Sequence, residues 1–253
     1  MMVSTISISS SHIPAAFSGF RIAQVSDLHN SEFGKNNTEL LKLLSESRPD
    51  IIAITGDLID ANHTDVGIAL GFAQESVRIA PTYYATGNHE AASPQYDTLK
   101  AGLEEAGVIV LEDEAVSLER NGETITLLGL GDPDFTVKGG MFGETSAMVS
   151  TKLKNLDDGE GGYTILLSHR PELFETYVNC GIDLVIAGHA HGGQFRLKPF
   201  GGLYAPGQGI LPQYTAGVYG SGPYLVVNRG LGNSTFPFRF NNPPEIVVVD
   251  LLP

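Results

Sequence analysis

The sequence predicts an α/β fold in which two mixed β-sheets pack face to face and helices flank both outer faces, a four-layer αββα sandwich. Three observations lead there. Up to Gly107 the chain alternates short apolar runs with segments of helical periodicity; after Gly107 it turns to consecutive strand patterns; from Tyr163 it returns to strand, helix, strand and closes on apolar runs. No linker-like stretch divides the 253 residues, so one domain over 1–253 is expected.

The elements follow in order. "MMVSTISISSSHIPAAFSGF" alternates apolar residues with Ser and Thr and has no basic start, which reads as a strand and not as a signal peptide. "FRIAQVSD" is a buried strand, "NNTELLKLLSES" a helix stopping before Pro49, and "IIAITGD" the next strand. "DVGIALGFAQESVRIA" is helical, "TYYATGNHE" a strand running into a loop, and "YDTLKAGLEEAG" a helix that ends on glycine. "VIVLEDEAVSLERNGETITLLGLGD" gives strands with a hairpin turn at Asn121-Gly122. "YTILLSHRPELFETYVN" gives a strand and a helix, "IDLVIAGHAH" a strand, and "PYLVVNRGLG" and "EIVVVDLL" return to β.

Composition narrows the function. With 42% hydrophobic and 17% charged residues and 30 glycines the chain is globular and rich in turns. A formal charge of -14 argues against a surface that grips nucleic-acid phosphates, and part of it is available to ligate cations. The lone Cys180 excludes an intrachain disulfide and reads as a small half-buried residue. No window approaches about 18 consecutive apolar residues. A cytoplasmic chain, at most peripheral to a membrane, is the expectation.

Open α/β sheets place their sites beyond the C-terminal ends of strands. Asp27 and His29 follow one apolar run, Asp57 the next, Asn88 and His89 a third, His169 a fourth, and His189 and His191 a fifth. Five of the seven histidines therefore lie just past apolar runs, and only His12 and His63 do not. One shared site explains this better than five accidents. In "IAGHAHGGQ" the period of two would turn His189 and His191 to one side if the extended conformation persisted past Gly188. Carboxylate, imidazole and amide oxygen suit borderline divalent ions, and the absence of thiolates argues against a structural zinc site.

These blocks, D-x-H, G-D, G-N-H-E, H and G-H-x-H in order, resemble the signature of the calcineurin-like metallophosphoesterases, from about Phe20 to the C-terminus. "FSGFRIAQVSDLHN", "GHAHGGQ" and the tail from "LPQYTAG" onward resemble the bacterial branch of small phosphodiesterases that act on membrane or cell-envelope phosphoesters. The resemblance implies a dinuclear centre of two divalent transition-metal ions, Mn, Zn or Fe. Asp27, His29 and His191 would hold one ion, Asn88, His169 and His189 the other, and Asp57 would bridge them. It implies hydrolysis of a phosphoester by in-line attack of a metal-bridging hydroxide, with His89 beside the ions to stabilise the transition state or protonate the leaving oxygen, and Glu90 orienting its neighbours. A diester is the preferred substrate, lipid or envelope-derived, reached by transient membrane contact; a phosphomonoesterase or nucleotidase is the alternative on the same site, and a non-catalytic metal-binding scaffold the rival of another class.

Some positions depart from the family pattern. Ser26 and Asn30 flank the first block where glycines are common, "GDLIDAN" lacks the Asp-Arg-Gly continuation of phosphoprotein phosphatases, and no tyrosine ligand follows Asp57 as in purple acid phosphatases. No G-x-S-x-G elbow supports a serine hydrolase. Arg170 and Arg239 are candidates for phosphate or head-group contacts, and His63 for a substrate contact from its loop. "GGLYAPGQGILPQYTAGVYGSGP" reads either as an apolar lip accepting an acyl chain or bulky alcohol, or as a loop packed on the sheet edge.

Overall fold

The computed structural model describes residues 1–137, 142–156, 161–233 and 236–253; Ser234 and Thr235, within the tail quoted above, lie outside the described residues. The chain runs β1 (Met2–Ser9), β2 (Arg21–Val25), α1 (Thr38–Ser47), β3 (Ile51–Thr55), α2 (Val66–Ser76), β4 (Thr82–Ala85), α3 (Asn88–Ala92), α4 (Tyr96–Ala106), β5 (Ile109–Val110), β6 (Glu114–Arg120) and β7 (Glu123–Gly129). Then come α5 (Phe142–Leu156), β8 (Thr164–Leu167), α6 (Phe174–Val178) and β9 (Leu184–Ala187). Two small ribbons follow, β10 (Arg196–Leu197) with β11 (Gly201–Gly202) and β12 (Tyr204–Ala205) with β13 (Gly209–Ile210), before β14 (Gly217–Gly220), β15 (Tyr224–Val227) and β16 (Glu245–Leu252).

Both large sheets are mixed and six-stranded, ordered β1-β16-β2-β3-β4-β5 and β14-β15-β9-β8-β7-β6. The parallel centres, β2 to β5 in one and β15, β9, β8 and β7 in the other, adjoin antiparallel pairings. Strands buried on both faces need continuous apolar runs, which is what "IIAIT" and "LVIA" are. Alternation then sorts the side chains. Ile51 and Ala53 point between the sheets with Ile165, Leu167, Leu184 and Ile186, while Ile52 and Ile54 point outward onto Leu40, Leu44, Phe72 and Leu99 of the helices. On the far side Leu166 and Val185 pack against Val149, Leu153 and Tyr177. Three apolar layers between four structural layers make the αββα sandwich.

The site lies where the parallel centres of the two sheets end side by side. Just beneath it Gln24, fully buried, donates to Thr55 Oγ1 at 2.8 Å and to the Ala187 carbonyl at 2.9 Å, tying β2 to the end of β9 across the sheets. The turn at Asn121 (φ 52) and Gly122 (φ 83) has both central residues left-handed, the hairpin geometry its sequence asks for.

Three local readings change. The segment after β4 is the short helix α3 and not a loop, so Asn88 and His89 occupy its first turn. The sequence patterns assign nothing between Gly131 and Gly162, where α5 covers the second sheet. The extended conformation does not persist past Gly188: His189 (φ 66) and His191 (φ 46) are both left-handed, so strand alternation does not bring them together. No helix among the described residues is long and apolar enough to cross a membrane.

Candidate metal centre

Asp27, His29, Asp57, His189 and His191 all have positive φ, between 46 and 66. Such residues cost on the order of 1–3 kcal/mol each and persist only where the surroundings hold them. Here the loops after β2 and β3 hold one another: Asp27 N–H donates to Gly56, His29 N–H to Asp57 and Asn30 N–H to Leu58, at 3.0, 3.0 and 3.2 Å. Two departures from the family pattern serve the same lacing. Ser26 Oγ donates to the Thr55 carbonyl, and Asn30 Nδ2 to the His63 carbonyl. A side chain at Gly87 would fall on the Asp57 carboxylate and one at Gly188 on Ser26 and Asp27, which explains glycine before both Asn88 and His189.

Glu90 completes the frame. Its buried carboxylate accepts the backbone N–H groups of Asp57 and Gly87, both at 2.7 Å, and of Ile59 at 3.3 Å, so one side chain fixes two site loops. Burial, and after it the nearby Asp57 charge, pushes the Glu90 carboxyl up to about 7.

Three groups of candidate ligands adjoin one another, and two of them contain Asp57; one of those two is His29, Asp57 and His89. Ligand atoms of Asp27, His29 and His191 lie within 4.8 Å of one another, as do those of Asp57, His169 and His189, and all six residues are buried. Asp57 Oδ1 accepts the His89 N–H at 2.9 Å, which leaves Oδ2 facing His169 Nε2 at 3.1 Å and His29 Nε2 at 3.6 Å. Asp27 Oδ1 stands 3.3 Å from His191 Nε2 and 3.9 Å from both His29 Nε2 and His169 Nε2. Asn88 Oδ1 is buried without a hydrogen-bond partner, as is His169 Nε2.

This donor set fits cations. His169 Nδ1 lies 2.7 Å from the Thr55 carbonyl and must donate to it, so the neutral ring turns its Nε2 lone pair toward the Asp57 carboxylate. Two lone-pair bearers at that separation need a cation or a proton between them. Electrostatics agree. Burial opposes charge on His169, yet the Asp57 and Asp27 carboxylates outweigh it and raise the imidazole to about 10, a measure of how strongly that point attracts positive charge. The other rings are held neutral, the form that ligates metals. Burial lowers His29 to about 3; burial and then the Arg239 cation lower His191 to about 3; burial and then Arg170 hold His189 well below its usual range. Asp57 is held well below the carboxylate range: burial works against it, but His169 and His29 prevail.

His89 sits at the edge of this group, its ring edge-on to His29 with centroids 4.5 Å apart. Its Nδ1 accepts the Ala61 N–H at 3.0 Å, so in the neutral ring Nε2 carries the proton. The ring lines a cavity of about 390 Å³. Asp57, Asn88, His189 and His191 share that lining with Gln194, Tyr204, Pro206 and Phe236.

The three substrate-side candidates fall elsewhere. Arg170 makes a bidentate pair with buried Asp132, at 2.6 and 2.8 Å, and places Nη1 3.2 Å from His189 Nε2. Arg239 donates to the carbonyls of Arg229 and Gly232 and lies 3.3 Å from His191 Nδ1. Both guanidiniums stand beside a candidate ligand imidazole and are outside the cavity lining. His63 is exposed on its loop, its carbonyl held by Asn30.

Residues the sequence reading passed over also matter here. Asp60 puts its carboxylate 3.8 Å from His29 Nδ1 and 3.9 Å from His89 Nδ1. Asp132 ends the apolar run "TLLGLGD", so the strand-end rule would have found it. Tyr204 lies in the Gly- and Pro-rich stretch read above as a lip or a sheet-edge loop, whereas Phe236 carried no signal beyond composition.

At the adjoining strand ends of the sandwich two buried carboxylates thus stand among four buried imidazoles. The family model of the calcineurin-like phosphoesterases matches residues 20–193, and the chain belongs to that family. It is 31% identical to the uncharacterized metallophosphoesterase YkuE of Bacillus subtilis over 96% of this chain and 83% of that one. It is 26% identical to phosphodiesterase YaeI of Escherichia coli, over 92% and 82%. Among solved structures, TT1561 of Thermus thermophilus aligns with a TM-score of 0.56 at 16% identity, over 84% of this chain and 90% of that one, a likeness of fold. Family and donor set together make the chain a phosphoric ester hydrolase with a metal-binding site.

Proposed function

We propose that the protein is a phosphodiesterase working with two divalent transition-metal ions, Mn, Zn or Fe, for which Asp57 would be a common ligand. The observation carrying this reading is the position of Asp57 Oδ2 between His169 Nε2 (3.1 Å) and His29 Nε2 (3.6 Å), one carboxylate oxygen serving both groups of candidate ligands that contain Asp57. Asp27, His29 and His191 would hold one ion and Asn88, His169 and His189 the other. When bound, such a pair supplies Lewis acidity for the phosphoryl oxygens and lowers the pKa of a bound water.

The chain's own residues do the rest. His89, its Nδ1 engaged by Ala61 and its ring among the cavity's lining, would donate from Nε2–H to a phosphoryl oxygen or to the departing alkoxide. Arg170 and Arg239, beside His189 and His191, act as positioning residues: burial first and then their charges oppose protonation of those rings. The preference for a diester rests on YaeI and on the cavity's second wall. Tyr204, Pro206 and Phe236 give the second ester substituent an apolar surface that a monoester would not use. A lipid or envelope-derived diester suits that wall.

The test is hydrolysis of a chromogenic phosphodiester and its monoester by metal-stripped protein, with Mn, Zn, Fe or nothing restored, beside Asp57→Asn. Metal-restored diester cleavage that Asp57→Asn abolishes is the expected result. Preferential monoester cleavage would replace the diester reading, and two bound ions without turnover of either ester would favour the scaffold.

A further inference from the structure

Nine of the fourteen exposed large hydrophobic side chains among the described residues lie between positions 197 and 240, eight of them in or beside the ribbons β10 to β13 and in the segment 236–240. Ile210 is 82% exposed, Phe200 67% and Phe238 60%, and Leu211 and Phe240 are more than half exposed. These segments are laced together: Arg196 N–H donates to the Phe240 carbonyl, Leu203 N–H to Phe195 and Leu211 N–H to Leu203. Phe195 contacts Phe236 and Phe238 edge-on, and Phe236 contacts Tyr204, so the apolar rim is continuous with the two aromatic residues lining the cavity. An apolar surface of this extent at a site mouth marks an interaction surface.

Charge says what covers it. From Leu184 to Pro244 the chain has no Asp or Glu and four cations, although the whole chain carries -14; Arg229 pairs with Glu245 just past this stretch and Arg239 is held by the Arg229 and Gly232 carbonyls, which leaves Arg196 and Lys198 to face a charged surface. Arg196, Lys198 and Arg229 line a cavity beside the rim together with Leu197. With a Debye length of about 8 Å at physiological salt, a negatively charged surface touching the rim feels these cations and is screened from the acidic remainder. Aromatic and aliphatic side chains projecting beside basic ones are the composition that seats in a headgroup layer. A soluble protein on the rim would cover Tyr204 and Phe236 and close the cavity, whereas a bilayer is itself a source of substrate.

We propose that this rim seats on an anionic bilayer surface and that the site takes amphiphilic phosphoesters from it, their apolar part lying along Phe236, Tyr204 and Pro206. The substrate half rests on the phosphodiesterase reading; the docking half does not. Flotation of Mn-loaded protein with vesicles of phosphatidylcholine plus phosphatidylglycerol, and of phosphatidylcholine alone, tests it. The wild type should float with the mixed vesicles, less with the neutral ones, and less at high salt. The triple variant Phe200→Ser, Ile210→Ser, Phe238→Ser should lower the partition coefficient roughly a hundredfold, and Lys198→Glu several-fold. Both should keep wild-type turnover of a soluble chromogenic diester, which also shows that they fold. Asp57→Asn should float like the wild type. Flotation without any turnover would sink the hydrolase reading and leave the surface standing. Turnover with no flotation on either vesicle, or a triple variant that floats as well as wild type, overturns the surface. So does a triple variant that only converts a dimer to a monomer, which would mean that the rim covers a second copy of the chain.

Discussion

The cavity has two walls built by opposite means. One consists of buried polar residues at strand ends, held in left-handed turns by backbone hydrogen bonds and by Glu90. The other consists of Tyr204, Pro206 and Phe236, on two-residue ribbons and loops whose neighbouring side chains are largely in solvent. Ligands to ions must be fixed to within fractions of an ångström, so they stand on the sandwich; a surface that receives an apolar group needs area and little geometry. The first wall should therefore fail sharply under substitution, and the second only by degrees.

The largest effect is expected at Asp57. Asp57→Asn removes the charge facing both His29 and His169 and should cost roughly a thousandfold or more in kcat, with at least one ion lost by elemental analysis. His89→Ala comes next, at roughly 100- to 10,000-fold in kcat, and should leave metal content unchanged because its Nδ1 is engaged by Ala61. If His89→Ala empties the site of metal, the division between ligands and proton donor is wrong.

Asp132→Ala sharpens the comparison from beneath the first wall. It leaves Arg170, 13% exposed, without its bidentate partner. Stranding a buried charge typically costs about 3–5 kcal/mol, visible as a lower denaturant midpoint. A near-neutral result would mean that Asp134 and Glu172, already 2.9 and 3.7 Å from the guanidinium, suffice.

Metal binding should also release a proton. The metal-free His169 is raised to about 10 and is protonated at neutral pH, while His29 and His191, lowered to about 3, are not. A metal must displace the His169 proton, so affinity should rise with pH up to about 10 and flatten above it. Calorimetry in buffers of different ionisation enthalpy should count about one proton at pH 7. The smallest effect is expected on the second wall: Phe236→Ala should raise KM for a long-chain diester by roughly tenfold with kcat little changed.

The same contrast decides what could be read in advance. The first wall was legible because a strand buried on both faces is an unbroken apolar run, and a polar residue at its end stands out; Asp27, Asp57, Asn88, His169 and His189 are all of that kind. How His189 and His191 are brought to the site was not legible, since their left-handed turns obey no period and depend on contacts with Asp27 from the other sheet. The helix α5 escaped notice because Ser, Thr and Lys interrupt the apolar residues of "TSAMVSTKL". The second wall could be guessed only as one of two alternatives: a Gly- and Pro-rich stretch reads the same whether it lines a cavity or packs on a sheet edge. Tyr204 and Phe236, far apart in the sequence, meet only in the folded chain.

The central claim is that two ions share Asp57. Anomalous diffraction from crystals grown with Mn tests it most directly. Two peaks about 4 Å apart, one on either side of the Asp57 carboxylate and reduced to at most one in Asp57→Asn, are the predicted result. A single peak in the wild type, or a pair that does not touch Asp57, would contradict the account.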